Sequence, residues 1–262
     1  MFWPINRRLV TYKYTMREIQ SPLDKEGCDM TNALYADPPN PVLPKSSFQL
    51  DLNRAGLLVI DPQNDFLHPK GVSWPFFGES ITENNTVAHI GQLFEAAKAA
   101  DITVAISPHF YYPCDHHWGF GGPLEKTMHA INMFGRKGQF TVEEFEGSGA
   151  DFLEEYKQYI LDGKTIIASP HKVYGPETND LILQLRKKGV SQVILAGMAA
   201  NLCIEGHLRE LVEQGFEVAV VRDATAGPRV PEGDGYLAAL VNFRFLAHAL
   251  WTTEETVAKL KR

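Results

Sequence analysis

The chain has 262 residues, 44% hydrophobic and 22% charged, with a net charge of −7 at pH 7. That length suits one large α/β domain, or a domain of about 200 residues with an arm. The acidic balance speaks against a nucleic-acid or membrane-surface binder, and no apolar run approaches the ~18 residues of a transmembrane span.

The start, Met1 to Arg8, shows charge with no apolar stretch behind it and does not read as a signal peptide. Cys28, Cys114 and Cys203 are too few and too scattered for a disulfide framework, so a cytoplasmic location is expected. Residues 1–50 hold Pro4, Pro22, Pro38, Pro39, Pro41 and Pro44 and little periodicity. They read as an extended arm. Phe2, Trp3, Tyr12, Tyr14 and Tyr35 are too apolar for a disordered tail, so the arm is expected to pack on the domain or on a neighbouring subunit of a homo-oligomer.

The domain proper is expected over 51–262. Gly56–Ile60 is a fully apolar strand, Ile81–Ala100 has helical spacing, and Ile102–Ile106 is a second strand. Thr165–Ala168 reads as a third strand and Glu177–Lys188 as a helix. Gln192–Ala196 is a fourth strand, followed by an amphipathic helix over Glu205–Gln214. Glu217–Val221 is a fifth strand, Tyr236–Phe245 a helix and Ala247–Trp251 a sixth strand. Thr253–Leu260 closes the chain as a helix with glutamates in its first turn. Continuous apolar strands alternating with helices imply an α/β fold: a doubly wound, mainly parallel six-stranded sheet with helices on both faces. The exception is 108–162, which is aromatic, Gly-rich and His-rich. An insert of that length after a strand is usually functional.

In such sheets reactive groups lie at strand C-termini. Asp61 ends the first strand, Lys172 follows the third and Cys203 follows the fourth. Cys203 sits in a strand–turn–helix, where unpaired N–H groups and the helix dipole lower a thiol pKa and offer oxyanion donors. A carboxylate can take the thiol proton and an ammonium can hold the ions, so the three supply base, electrostatic partner and nucleophile. No G-x-G-x-x-G follows a strand and no G-x-x-x-x-G-K-[ST] is present, so no organic cofactor is expected.

Residues of about 55–257 resemble the isochorismatase-like cysteine hydrolases, the superfamily of nicotinamidases, N-carbamoylsarcosine amidases and ureidoacrylate amidases. The matching motifs are Val59-Ile60-Asp61-Pro62-Gln63-Asn64-Asp65-Phe66, the strand–Lys172 block, and Gly197-Met198-Ala199-Ala200-Asn201-Leu202-Cys203. The resemblance implies an Asp61–Lys172–Cys203 triad, a cis peptide between Met198 and Ala199, and oxyanion donors at the N–H groups of Ala199 and Cys203. Its activity would be hydrolysis of a C–N bond in a small amide or carbamoyl substrate through a thioester. The alternative is a catalytically silent small-molecule-binding protein on the same scaffold.

This chain departs from the family at three places. Ala200 stands where threonine is common, and Tyr174-Gly175-Pro176 replaces the usual run after the lysine and reshapes the pocket wall. The nicotinamidase metal pattern is not reproduced, so no metal is expected, although His109, Asp115, His116, His117 and His129 could hold zinc. Gln63, Phe66, His109, His116, His117, Trp118 and Tyr174 are the expected substrate-binding residues. The stretch His109–Trp118 is placed at the pocket mouth as a substrate-facing lid for a planar amide.

Overall fold

The computed structural model describes residues 34–261. Phe2, Trp3, Tyr12, Tyr14 and Cys28 of the expected arm lie outside them. Residues 34–36 end a separate unit, Met1–Ala36, and the second unit begins at Asp37. The stretch before residue 51 belongs to that second unit through specific contacts. Phe48 packs on the Trp251 ring at 5.5 Å. The Asp51 N–H donates to Gln192 Oε1 at 2.7 Å, and Gln192 Nε2 donates to the Gln49 carbonyl at 3.1 Å.

Six strands form the sheet: β1 (Ala55–Ile60), β2 (Thr103–Ser107), β3 (Ile166–Ile167), β4 (Gln192–Gly197), β5 (Glu217–Thr225) and β6 (Ala249–Trp251). Their order is β3-β2-β1-β4-β5-β6, and every neighbouring pair is parallel. Alternation of side chains across a strand decides what each face buries. Leu57, Val59, Val104 and Ile106 join one cluster with Ile90, Leu93, Phe94 and Ala97 of the helix Thr86–Ala99 and Leu260 of the helix Thr253–Leu260. Their alternates Leu58, Ile60 and Ala105 are equally buried and face the other side, with Leu208, Leu211, Leu240 and Phe243. These last four come from the helices Glu205–Glu213 and Gly235–Leu246. The doubly wound parallel sheet follows from the apolar runs on both faces.

Three elements differ from the periodicity reading. The helix expected over 81–100 is two helices, Trp74–Glu83 and Thr86–Ala99. They part at Asn84-Asn85, where Asn85 takes φ 50, a left-handed conformation that asparagine tolerates. The fifth strand runs on to Thr225, and a short hairpin pairs Arg229–Val230 with Gly233–Asp234.

The register aligns the strand ends that matter. Ile60 lies opposite Ser107 on one side and Gly197 on the other. Asp61, Pro108 and Met198 therefore leave the sheet at one level. Gly197 allows this: its φ is +114, and a Cβ there would meet the Ile60 carbonyl oxygen at 2.1 Å. Only glycine accepts both the angle and the contact.

Candidate active site

Asp61 is fully buried at the end of β1 and holds φ 47, a left-handed turn unusual outside glycine and asparagine. Its N–H donates to the Ser107 carbonyl at 3.1 Å, which ties the turn to β2. One carboxylate oxygen, Oδ1, lies 2.8 Å from His171 Nε2. Because a carboxylate only accepts, Nε2 carries the proton and donates. Oδ2 has no hydrogen-bond partner among the described residues.

Cys203 sits in one π-helical turn, Ala200–Ile204, that leads into the helix Glu205–Glu213. The Met198–Ala199 peptide before it is cis. Cys203 is 4% exposed, and Sγ lies 3.8 Å from the Val173 carbonyl. Burial first, and then the Asp61 carboxylate beside it, push the thiol well above its ordinary pKa. The N–H groups of Ala199 and Cys203 pull the other way, toward a charged sulfur. The helix dipole by itself would lower the thiol pKa. Desolvation at a site this deep outweighs the helix end.

Lys172 is not brought to this pair. Its Nζ donates to Asp115 Oδ2 at 2.5 Å and to the Phe110 carbonyl at 2.8 Å, and it lies 3.9 Å from the centre of the Tyr112 ring. The reason is one residue of register. His171 bridges His109 in parallel across the extended ends of β2 and β3, with its N–H on the Pro108 carbonyl at 3.0 Å. Neighbours in extended backbone point to opposite sides. His171 therefore turns to Asp61, and Lys172 turns outward to fasten the insert.

The expected substrate contacts divide. The Gln63 amide is occupied within the chain: Nε2 donates to the His109 and Ala150 carbonyls at 2.9 and 2.8 Å, and Oε1 accepts the His109 N–H at 2.8 Å. Phe66 is buried against Phe77 and Phe134, ring centres 5.0 and 5.3 Å away. Both residues are clamps, because the apolar core and the start of the insert reach them first. His109 is fully buried and not at the mouth, 4.6 Å from His171 ring to ring, and neither of its nitrogens has a hydrogen-bond partner among the described residues.

His116, His117 and Trp118 do lie at the exposed surface. The rings of His116 and Trp118 gather with Tyr111 and His129: Tyr111 is 4.5 Å from His129 and 5.8 Å from Trp118. His116 and His129 share an Nδ1–Nδ1 contact at 3.1 Å, and Asp115 is held by Lys172. The insert histidines beyond 109 therefore do not gather round Asp115. Tyr174 is half-buried, and burial, then Glu125 and Cys203, raise its phenol pKa. Burial and then Cys203 raise that of Tyr111, whose hydroxyl has no partner among the described residues. Both phenols therefore lie within electrostatic reach of the thiol. A separate cavity of about 610 Å³ includes Asp65, His116, Arg136 and Phe145 in its lining, but none of Asp61, His109, His171 or Cys203. Its size does not make it the reaction site.

His207, one turn past the cysteine, bonds the Cys203 carbonyl at 2.7 Å and Ser107 Oγ at 2.9 Å. Burial pushes its pKa well below the ordinary histidine value, and the same holds for His109. The unfolded chain takes these protons near pH 6.5 and the folded chain resists them. Stability is thus present above about pH 6.5 and falls as pH drops below it, by up to about 1.4 kcal/mol per pH unit for each histidine. Melting temperature is expected to fall between pH 7.5 and 5. A flat profile over that range would contradict the burial of both rings as neutral species.

The isochorismatase domain model matches residues 55–255. The chain belongs to the isochorismatase family. Ureidoacrylate amidohydrolase of Methylobacterium radiotolerans is 27% identical over 185 residues, covering 68% of this chain and 70% of its own length. Nicotinamidase 3 of Arabidopsis thaliana is 27% identical over 176 residues, covering 66% of this chain and 73% of its own length. A cysteine hydrolase from Pseudomonas syringae pv. phaseolicola superposes with a TM-score of 0.68 at 19% identity, covering 84% of this chain and 99% of that one. At that identity the likeness speaks to the fold. In this chain the residues after β1, β3 and β4 meet at one end of the sheet, where Asp61, His171 and Cys203 lie together. Among the described residues no helix is long and apolar enough to cross a membrane.

Proposed function

We propose that this chain is a cysteine amidohydrolase that cleaves a C–N bond of a small amide or carbamoyl substrate through a thioester. The observation that carries the reading is the buried group at the strand ends. Asp61, His171 and Cys203 lie side by side, with the N–H groups of Ala199 and Cys203 acting on the sulfur. The relatives named as amidohydrolase and nicotinamidase supply the bond class.

The thiol rests protonated. As Sγ attacks the carbonyl carbon, its proton passes to Asp61. The carbonyl oxygen takes the negative charge and is held by the N–H groups of Ala199 and Cys203. The C–N bond breaks as Asp61 returns the proton to the leaving nitrogen, and a thioester remains. Asp61 then takes a proton from water, the hydroxyl adds to the thioester, and the C–S bond breaks as Asp61 returns that proton to the sulfur, giving acid, thiol and the free carboxylate. His171 keeps Asp61 aimed through the Nε2–Oδ1 bond, in the place the family resemblance reserves for Lys172. Tyr111 and Tyr174 line the pocket beside the thiol, and His116, His117 and Trp118 form its outer rim.

The reading is tested by ammonia release across small primary amides, ureas and N-carbamoyl compounds, with mass spectrometry of acid-quenched protein. Turnover of at least one class is expected, with a covalent adduct on Cys203. If no compound is turned over and none modifies Cys203 while some bind, the chain is a small-molecule-binding protein on this scaffold.

A further inference from the structure

We infer that Asp61, His109, His171 and Cys203 form a binding site for one tetrahedral divalent transition-metal ion, Zn²⁺, which blocks the reaction centre when it binds. Each residue offers one ligand atom, and the four atoms lie within 4.8 Å of one another. Zinc bonds of 2.0–2.3 Å set tetrahedron edges of about 3.3–3.8 Å, so side-chain shifts of about an ångström or less would complete the shell. The donors come from the ends of four neighbouring strands, one each after β1, β2, β3 and β4, which holds them on a rigid frame.

The donor set is specific. One thiolate, two imidazole nitrogens and one carboxylate oxygen suit zinc and exclude the all-oxygen preference of magnesium and calcium. Thiolate and carboxylate together balance the charge of a divalent ion. All four residues are buried, and the group holds a concentration of unpartnered atoms. Asp61 Oδ2, both nitrogens of His109 and His171 Nδ1 have no hydrogen bond among the described residues. Buried polar atoms without partners are costly and call for an occupant. The hydrolytic cycle gives His109 no step, whereas a metal site uses its free lone pair.

Binding is a ligand exchange without redox change. Zn²⁺ sheds its waters, the Cys203 S–H bond breaks, the proton leaves to solvent, and an S–Zn bond forms. With four protein ligands no coordination position stays open for water or a carbonyl. The sulfur lone pair is engaged, so the ion is an inhibitor. That consequence rests on the amidohydrolase reading, whereas the binding does not.

The test uses the full chain, freed of metal by chelator and titrated with Co²⁺ as the spectroscopic stand-in. One equivalent is expected to give the intense visible bands of tetrahedral cobalt and a near-ultraviolet thiolate-to-cobalt band, both displaced by Zn²⁺. Cys203→Ser should remove the near-ultraviolet band, and His109→Ala should weaken cobalt binding at least tenfold. Absence of both bands in the wild type, or a near-ultraviolet band that survives Cys203→Ser, would overturn the site. In parallel, one equivalent of Zn²⁺ should abolish ammonia release and a chelator should restore it. Zinc that binds yet leaves turnover unchanged or raises it would overturn the inhibition. Cobalt bands in a protein with no amide turnover in its metal-free form would uphold the site and sink the amidohydrolase reading alone.

Discussion

Cys203→Ala is expected to lower kcat/KM by at least about 10⁴-fold, and Cys203→Ser by a similar factor, with the fold retained. The size follows from the proposed mechanism, in which the sulfur carries the acyl intermediate. Without the sulfur no acyl group can be held, and the remaining oxyanion donors can assist only direct attack by water. Serine keeps the volume but not the chemistry: a buried hydroxyl is a far weaker acid than a thiol, and Asp61 would have to remove its proton in the same desolvated place. The structural cost is small, because the change deletes one sulfur from a turn fixed by backbone bonds, with Ile204 N–H and Leu202 N–H both on the Ala199 carbonyl. Far-ultraviolet circular dichroism and a melting curve check the fold, and ammonia release checks turnover. Activity of the alanine variant within tenfold of wild type would remove Cys203 from the mechanism.

Much of this site is legible in the chain because the central strands are short and wholly apolar. Leu57–Ile60 and Val193–Ala196 admit one reading, and the residues just beyond them, Asp61 and Met198–Cys203, are carried to the same end of a parallel sheet. The misreadings arise where that constraint is weakest. β3 is two residues long and lies at the sheet edge. It cannot set which of two neighbours faces inward, so His171 and not Lys172 is the residue bonded to Asp61. The tract Ser169-Pro170-His171-Lys172 carries the signal, since a histidine beside the lysine is as able to meet a carboxylate. His109 reads as a residue of the mouth because the insert looks like a loop from its first residue. Its bridge to His171 keeps it extended and buried for one more step. Gln63 and Phe66 read as pocket residues because they come soon after Asp61, yet their partners, Ala150 and Phe134, lie far along the chain. Contacts of that range leave no local pattern.

His171→Ala is expected to lower kcat about 10²- to 10³-fold with little change in KM, whereas Lys172→Met should keep kcat within about tenfold and raise KM. The two residues are neighbours with different partners. His171 holds Asp61 Oδ1 at 2.8 Å inside a buried group. Its loss frees the base to rotate and leaves a second carboxylate oxygen without a donor, which is costly where water does not reach. His171→Gln can still present an N–H to Asp61 and should recover part of the lost kcat. A residue that only filled space would show no such recovery. Lys172 acts on the insert: its ammonium joins Asp115 to the Phe110 carbonyl and lies over Tyr112. Methionine keeps the stem and removes those bonds, so the segment that carries Tyr111 and the outer rim loosens. In the proposed mechanism that segment meets the substrate and not the proton in flight, so the effect belongs in KM and in the melting temperature. Steady-state kinetics of the three variants on one amide substrate decide the matter. If Lys172→Met loses kcat a hundredfold and His171→Ala does not, the lysine is the partner of Asp61 in the working enzyme, and the Nε2–Oδ1 bond has no part in its rate.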